Sequence, residues 1–326
     1  MQRPIPDSTD VLVVGAGLAG AVAARRTASA GLATLLVDRA PARDVGRKVC
    51  GNGITDAWIE AVGRWTEPPS GAEIAWRIDA GAIVLAEPET RIRFPRSGVV
   101  LNRLVLGQRL LADAVAAGSL LACECACVGW RDRDSGIVRL RSEDSGDSEV
   151  AARVIIDASG YRSVLAGSGG VSHRDPVHRS DVGIGYREVV PLTEPLDSAH
   201  EAVIDLGATG ARGGYAWAFP LGDRLVNVGI GGPLATAPRD LRETCRAFAR
   251  DRVGLSASEP VSAGTGLVPL RRPLASMVGN GFLVAGDAGC QAEPLHGGGI
   301  HAAIVGGGMA ADSAIAALGN GAATVE

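Results

Sequence analysis

Lysine is almost missing from this chain: among 32 basic residues only Lys48 is a lysine. With alanine, glycine and valine abundant, that bias reads as the codon usage of a GC-rich genome and is not by itself a phosphate-binding signal. The formal net charge of −4 removes the electrostatic footprint of a nucleic-acid partner, so none is expected. Six cysteines occur, yet none forms a C-x-x-C, so zinc and iron–sulfur sites lack their ligand spacing and no metal is expected. The opening MQRPIPDSTD lacks the charged-then-apolar layout of a signal peptide. No uncharged apolar run approaches the ~20 residues of a spanning helix. A reduced, cytoplasmic protein is the default expectation. Aromatic residues are scarce at 4%, which makes any cluster of them conspicuous.

What remains is a 326-residue chain, 46% hydrophobic, with 45 glycines. That length predicts about two domains and affords a sizeable core. Asp10–Gly15 (DVLVVG) reads as a buried parallel strand, Leu18–Ala30 as a helix closed by Gly31, and Ala33–Asp38 as a second buried strand. Strand, glycine turn, helix and strand within ~30 residues make a βαβ unit. Residues 103–117 read as an amphipathic helix with Leu104, Leu111 and Val115 on one stripe and Gln108 breaking it. Residues 121–157 read as a three-strand meander with a polar turn at 144–149. The segments 72–98 and 182–232 alternate, as antiparallel strands with one covered face do. Residues 239–253 return to helix, Phe282–Gly286 is a buried strand, and a last helix starts near Ile300. The expected fold class is α/β: a Rossmann-like dinucleotide-binding domain (1–71, 99–181 and 265–326) with an inserted antiparallel β-sheet substrate domain (72–98 and 182–264).

Gly15-Ala-Gly17-Leu-Ala-Gly20 follows a strand and opens a helix, with Asp38 eighteen residues beyond. The first glycine permits the tight turn, the second lets a pyrophosphate approach, and the third lets helix and strand pack. The helix N-terminus offers amides to phosphates, and Asp38 suits a ribose hydroxyl. Gly286-Asp-Ala-Gly-Cys290 and Glu293-Pro-Leu-His-Gly-Gly-Gly-Ile300 indicate a flavin: Asp287 can hold a ribityl hydroxyl, and a helix start at Gly297–Gly299 can stabilise the charge of a reduced ring.

These motifs, with IIDASGYRS at 155–163, resemble the glutathione-reductase-type FAD fold of para-hydroxybenzoate hydroxylase relatives. Arg47-Lys-Val-Cys-Gly-Asn-Gly-Ile54 and Gly214-Tyr-Ala-Trp-Ala-Phe-Pro220 are similar to the KVCGDGL-type loop and the Y-x-W-x-F-P motif of the geranylgeranyl reductase family. The resemblance spans about residues 10–315. It implies a flavoenzyme that hydrogenates isolated C=C bonds of a polyprenyl lipid. By that resemblance Gly15, Gly17, Gly20, Asp38 and Arg39 hold the ADP half of FAD. Arg103 contacts its phosphates, and a backbone amide near Cys127 contacts adenine. Cys50, Gly51 and Gly53 lie against the ring, and Asp287, Gly298, Gly299 and Ile300 hold ribityl and ring. The family usually continues through a further C-terminal stretch that closes part of the substrate cavity.

Alkene reduction needs a hydride on one carbon, a proton on the other and an apolar slot. Tyr215, Trp217 and Phe219 alternate, so they share one strand face. With Pro220 and His296 they are the expected substrate wall, although ordinary sheet packing gives the same alternation. Cys50 is the candidate proton donor, since a thiol near pKa ~8.5 carries its proton at neutral pH; a packing cysteine that shapes the loop is the plainer reading. Cys123, Cys125 and Cys127 alternate as buried small hydrophobes would. Arg91, Arg93 and Arg96 suit either a lipid phosphate or a solvated strand face. The Asp-Ala-Ser-Gly160 turn and the GYAWAFP strand also resemble flavin-dependent halogenases. A flavin monooxygenase or halogenase, and a truncated electron-transfer flavoprotein, are therefore the competing readings. A halogenase needs a lysine, and Lys48 lies in the flavin loop. With one G-x-G-x-x-G, electrons come from a separate donor: a ferredoxin, a deazaflavin or NAD(P)H. Peripheral membrane contact follows from a lipid substrate.

Overall fold

The structure is a computed structural model that describes residues 4–85, 90–143, 146–166, 178–196, 200–209, 212–255 and 259–319. The chain enters through β1 (Ser8–Val14), α1 (Leu18–Ser29) and β2 (Thr34–Val37). Val11–Val13 have no exposed surface, as an apolar run between two parallel neighbours must. At the turn, a Cβ on Gly20 would overlap the Gly15 carbonyl oxygen, which is why helix and strand can meet so closely. The chain then leaves this layer for β3 (Gly53–Thr55), α2 (Asp56–Val62), β4 (Ile74–Val84) and β5 (Arg91–Leu101). It returns through α3 (Arg103–Ala116), β6 (Leu120–Ala122) and the meander β7 (Cys125–Asp132), β8 (Ile137–Ser142) and β9 (Gly146–Asp157). It leaves again for β10 (Val182–Pro191), β11 (Glu201–Asp205), β12 (Tyr215–Pro220), β13 (Leu225–Pro233), α4 (Leu241–Asp251) and β14 (Ser262–Pro269). It ends in β15 (Val278–Gly279), β16 (Phe282–Val284) and α5 (Ile300–Gly319).

Two sheets result. The first runs β15-β16-β9-β1-β2-β6, with β8 on β9 and β7 on β8. Its neighbours β16/β9, β9/β1, β1/β2 and β2/β6 are parallel. The second runs β14-β10-β13-β12-β11-β4-β5-β3. The mixed α/β class with an FAD-type domain and a second sheet is the one the motifs predict. The inserted sheet departs from the expectation at one junction, where β11 pairs with β4 in parallel. No hairpin joins those strands, so nothing local dictates their direction. The polar turn expected at 144–149 falls partly on 144–145, outside the described residues, and β9 already begins at Gly146.

The buried stripe of α3 is Arg103, Leu106, Gly107, Leu110, Leu111 and Ala114, and Val115 faces solvent. Gln108 breaks the apolar pattern because its Nε2 donates to the carbonyls of Ala42 (2.8 Å) and Val45 (2.7 Å). That bond and the backbone approach of Gly46 to Gly107 pin the root of the 46–53 loop. Asp157, fully buried at the end of β9, accepts hydrogen bonds from the Ser163 hydroxyl (2.7 Å), the Ser159 N–H (3.0 Å) and the Leu165 N–H (3.1 Å). It thereby knots the turn after the meander, which explains an aspartate ahead of Ala-Ser-Gly.

Helix α5 is long and apolar enough to cross a membrane by length and composition, although 44% of its apolar window is buried in the protein. Its Gly306, Gly307 and Gly308 touch, in turn, the Gln291 side chain, the Ala19 carbonyl of α1 and the Trp65 ring, leaving no room for a Cβ. Asp312, the charge within it, pairs with Arg26 of α1.

Candidate functional site

One cavity of about 620 Å³ lies between the two sheets. Its lining starts at Gly17 and Leu18, passes the Lys48–Thr55 loop, and ends among β4, β5 and β11. The 48–53 loop crosses the face of the second sheet. Val49 sits over Gly264 and Gly266 of β14, and Gly51 and Gly53 sit over the Phe219 ring of β12. A Cβ on Gly51 would come 2.8 Å from that ring, so the glycine is required for the loop to lie flat.

The expected dinucleotide residues divide into two groups. Gly17, Arg103, Asp287, Gly299 and Ile300 line the cavity. Gly15, Gly20, Asp38, Arg39 and Cys127 stand behind it. Gly15 adopts φ +97° and lies against the Ala158 carbonyl, so it shapes the turn. Asp38 accepts from the N–H groups of Ala16 (2.7 Å) and Ala40 (2.8 Å), which fixes its carboxylate beside the glycine loop. The Asp38 carbonyl accepts from the Cys125 N–H (2.9 Å), so the start of β7, and with it Cys127, adjoins the end of β2. Arg39 is exposed at the same corner. Burial pushes the Cys127 thiol up to about 12 and Cys123 up to about 11, so both are inert packing groups.

These residues fit FAD on observations of the protein itself. A Cβ on Gly17 would meet nothing within 4 Å, so the backbone there borders open space sized for a close-approaching group. The Arg103 guanidinium is buried with its Nε unpartnered, as a phosphate-contacting arginine would be before its ligand is added. Asp287 at present holds Lys48, with Nζ–Oδ2 2.6 Å. The ion pair bridges the flavin loop and the Gly286–Gly289 turn, a role the sequence reading did not give to Lys48.

The Gly297–Gly299 run is used differently from the expectation. The Gly297 N–H donates to the Glu293 carbonyl (2.8 Å) and the Gly298 N–H to His296 Nδ1 (3.0 Å). Gly298 lines the cavity, but its amide serves the loop. The first amides of α5, at Gly299 and Ile300, keep the helix N-terminus open to an anionic ring edge. His296 Nε2 faces Glu293 Oε2 at 2.8 Å, and its carbonyl accepts from the Tyr215 hydroxyl at 2.5 Å. With Nδ1 already accepting, the imidazole braces the loop internally, and the His296 carbonyl ties it to Tyr215 of β12.

Tyr215, Trp217 and Phe219 form a ladder with ring centroids 5.8 Å and 6.5 Å apart. All three line the cavity; Pro220, which ends the strand, does not. Burial pushes the Tyr215 phenol well above its usual value, so it is a donor to His296 and not a titrating group. Trp217 lies flat on Gly229, where a Cβ would overlap the indole. Cys50 is half-buried and its Sγ accepts from the Asn52 N–H at 3.3 Å; the other five cysteines are buried. Arg91 and Arg93 both pair with the buried carboxylate of Glu201, while Arg96 reaches the cavity lining.

Three features escaped the sequence reading. Asn227, with no exposed surface, bonds both Trp217 and the Cys50 loop. Its signal was legible: a lone amide inside the buried run Leu225–Ile230. Gly229, two residues on, shares its strand face. Trp58 stacks on His301 at 3.7 Å and 13° on the cavity wall. Burial lowers the His301 pKa below 6.5, the Glu293 charge opposes this, and His296 adds to it. The folded state therefore disfavours the proton that the unfolded chain takes up. His301 contributes stability above pH 6.5 that is lost as pH falls through its folded pKa. A His301→Phe variant, which keeps a ring against Trp58, should flatten the fall in Tm between about pH 7 and 5. An unchanged Tm–pH slope would exclude His301 as the source.

Comparisons with known proteins agree with this geometry. The geranylgeranyl reductase catalytic domain family matches residues 181–268, and the FAD binding domain family matches residues 10–69. A digeranylgeranylglycerophospholipid reductase of Methanopyrus kandleri is 33% identical over 315 residues, 95% of this chain and 81% of that one. The crystal structure of a geranylgeranyl bacteriochlorophyll reductase-like protein from Thermoplasma acidophilum superposes with a TM-score of 0.87 at 25% identity, covering 98% of this chain and 80% of that one. A myxobacterial chondrochloren halogenase shares the fold, with a TM-score of 0.69 at 18% identity over 97% of this chain and 76% of its own. Similarity to the reductase over 95% of this chain, a matching catalytic domain and a cavity that fits FAD together make the chain a member of the geranylgeranyl reductase family.

Proposed function

We propose that this protein is an FAD-dependent oxidoreductase that hydrogenates C=C bonds of a polyprenyl, geranylgeranyl-type lipid. The observation that carries the reading is the single cavity that joins the Gly17–Asp287–Gly299 end to an apolar end. There Ile78, Ala80 and Ala82 of β4 face the same space as Ala202 and Ile204 of β11. Their period-2 spacing puts small apolar side chains along one sheet face, which suits a branched hydrocarbon chain. Bound reduced FAD supplies a hydride equivalent. The protein's part is to hold the alkene in the cavity lined by Tyr215, Trp217, Phe219 and the Cys50 loop, to shield it from bulk water, and to deliver a proton. Cys50 Sγ–H gives that proton to the second alkene carbon, and the resulting thiolate is reprotonated from solvent once the product has left. Addition of one hydride and one proton saturates one double bond.

The electrons come from a separate donor: a ferredoxin, a deazaflavin or NAD(P)H. The cavity rim exposes Trp58 and Leu295, side chains suited to the headgroup boundary of a bilayer, so the enzyme works as a peripheral protein at the membrane surface. Lys48, held by Asp287, is an ion-pair partner in the flavin loop, a position that fits the reductase motif better than a halogen carrier.

The test is an anaerobic single turnover. The FAD-loaded protein is reduced with dithionite and mixed with a geranylgeranyl lipid while flavin reoxidation is followed. Product mass should rise by two hydrogens per flavin reoxidised. No reoxidation until oxygen is admitted would overturn the reading in favour of a flavin monooxygenase or halogenase.

A further inference from the structure

Asn227 projects from the middle of β13, where it lies opposite Phe219 of β12 and Val189 of β10. Its side chain has no exposed surface. Oδ1 accepts from Trp217 Nε1 at 3.1 Å, and Nδ2 donates to the carbonyls of Cys50 (3.0 Å) and Gly51 (3.2 Å). The chemistry of the partners fixes the amide orientation. An indole N–H can only donate and a carbonyl can only accept, so one arrangement satisfies all three bonds. Every hydrogen-bonding atom of the amide except one lone pair is thus used.

The location gives these bonds their meaning. The loop crosses the second sheet before Gly53 joins β3 beside β5, where the Asn52 carbonyl accepts from the Leu101 N–H (2.9 Å), while Val49 packs over Gly264 and Gly266 and Gly51 over the Phe219 ring. Arg187 of β10 spends its Nη1 on the Ser262 hydroxyl (2.5 Å) and has its Nε buried and unpartnered, so it gives the loop no tie of its own. The Asn227 amide is the polar attachment of the Cys50 and Gly51 carbonyls to the sheet, and the same amide holds the indole. Accordingly, we propose that Asn227 is the positioning residue of this site: it holds the Cys50 loop and the Trp217 ring in one fixed arrangement on the cavity wall. The proposal deepens the reductase reading and rests on it for its kinetic consequence.

The experiment compares wild type, Asn227→Leu, Asn227→Ser and Trp217→Phe as FAD-loaded proteins. Ile155→Val, in the core of the first sheet, serves as a mildly destabilised control. Two quantities are read: the rate at which iodoacetamide alkylates Cys50, located by peptide mass, and kcat against KM for a geranylgeranyl lipid. Cys50 is the half-buried thiol and the other five cysteines are buried, so native-state alkylation reports this loop. Asn227→Leu should raise Cys50 alkylation about tenfold or more and lower kcat about 10- to 100-fold, with KM altered far less. Asn227→Ser, which keeps a donor and an acceptor in a smaller side chain, folds more readily and should fall between. Trp217→Phe, which removes the indole bond and keeps both loop bonds, should leave the alkylation rate near that of wild type. The proposal is overturned if alkylation in both Asn227 variants matches the Ile155→Val control. It is also overturned if Trp217→Phe loosens Cys50 as much as Asn227→Leu. The alkylation arm needs no substrate, so it judges the tie even where the lipid gives no turnover, and failure of the reductase reading shows separately in the wild-type assay.

Discussion

A Gly17→Val variant is expected to fold and yet to be purified without flavin. Gly17 is the N-cap of α1 with φ −61°, a backbone conformation open to any residue. No atom lies within 4 Å of the position its Cβ would take, so the apoprotein gains no clash. The loss of apoprotein stability should not exceed about 1 kcal/mol, the difference between glycine and an apolar residue as N-cap. The isopropyl group would project into the cavity lined by Gly17 and Leu18, where a pyrophosphate must approach the α1 amides. FAD affinity should fall about 100-fold or more, nearly 3 kcal/mol. Flavin absorbance per protein after gel filtration, paired with the apoprotein Tm, checks both halves. Stoichiometric flavin at wild-type affinity would show that the pyrophosphate does not lie against Gly17. Gly20→Ala makes the opposite comparison: its Cβ overlaps the backbone of the turn, so the fold fails together with flavin binding.

Trp217→Ala should remove the slot wall and much of its stability. The indole is 7% exposed and donates to Asn227, so truncation leaves both a cavity and an unpaired buried acceptor. The stability loss should be about 3–5 kcal/mol, and kcat/KM for the lipid should fall on the order of 100-fold while FAD is retained. Full turnover in this variant would remove Trp217 from the slot. Gly229→Ala approaches the same residue from below, because its Cβ occupies the seat of the indole. It should cost about 1–3 kcal/mol and depress turnover with the same lipid. Combining the two should be less damaging than their sum, since removing the indole relieves the overlap. Thermal melts of the two single variants and the double variant measure that sign directly.

The features legible in the sequence are those that local chemistry fixes. The turn at Gly15–Gly20 is set by backbone approach within six residues, and the buried strands on either side are short apolar runs bounded by glycine or charge. The aromatic ladder was legible because strand alternation places every second residue on one face. Other features depend on partners far along the chain. The parallel β4/β11 pair joins residues 80–84 to 201–205 with no hairpin to set direction. The stripe of α3 was misplaced because Gln108 caps loop carbonyls and Arg103 turns inward toward the cavity, so polarity on that helix does not mark its outer face. At the site, Gly298 and His296 were read one residue at a time. The structure shows them as one loop in which a ring nitrogen takes the amide that a flavin was expected to take. Asn227 had a readable signal, but its three partners lie at residues 50, 51 and 217.

The glycine run in α5 bears on how the protein assembles. Each mid-helix glycine weakens an isolated helix by about 1 kcal/mol relative to alanine, so Gly306–Gly308 leave this segment a poor helix by itself. Its helical form is supplied by Ala19, Trp65 and Gln291, which belong to three different stretches of the chain. Helix α5 also adjoins the Gly299–Ile300 end of the cavity, so the dinucleotide site is completed only when α5 docks onto α1. That closure brings Gly307 onto Ala19, far apart in the chain, and belongs to the slow, non-local class of folding steps. FAD, which binds the docked state, draws that state forward by mass action and should add to its stability. The nascent chain carries its complete G-x-G-x-x-G turn long before it holds the cofactor.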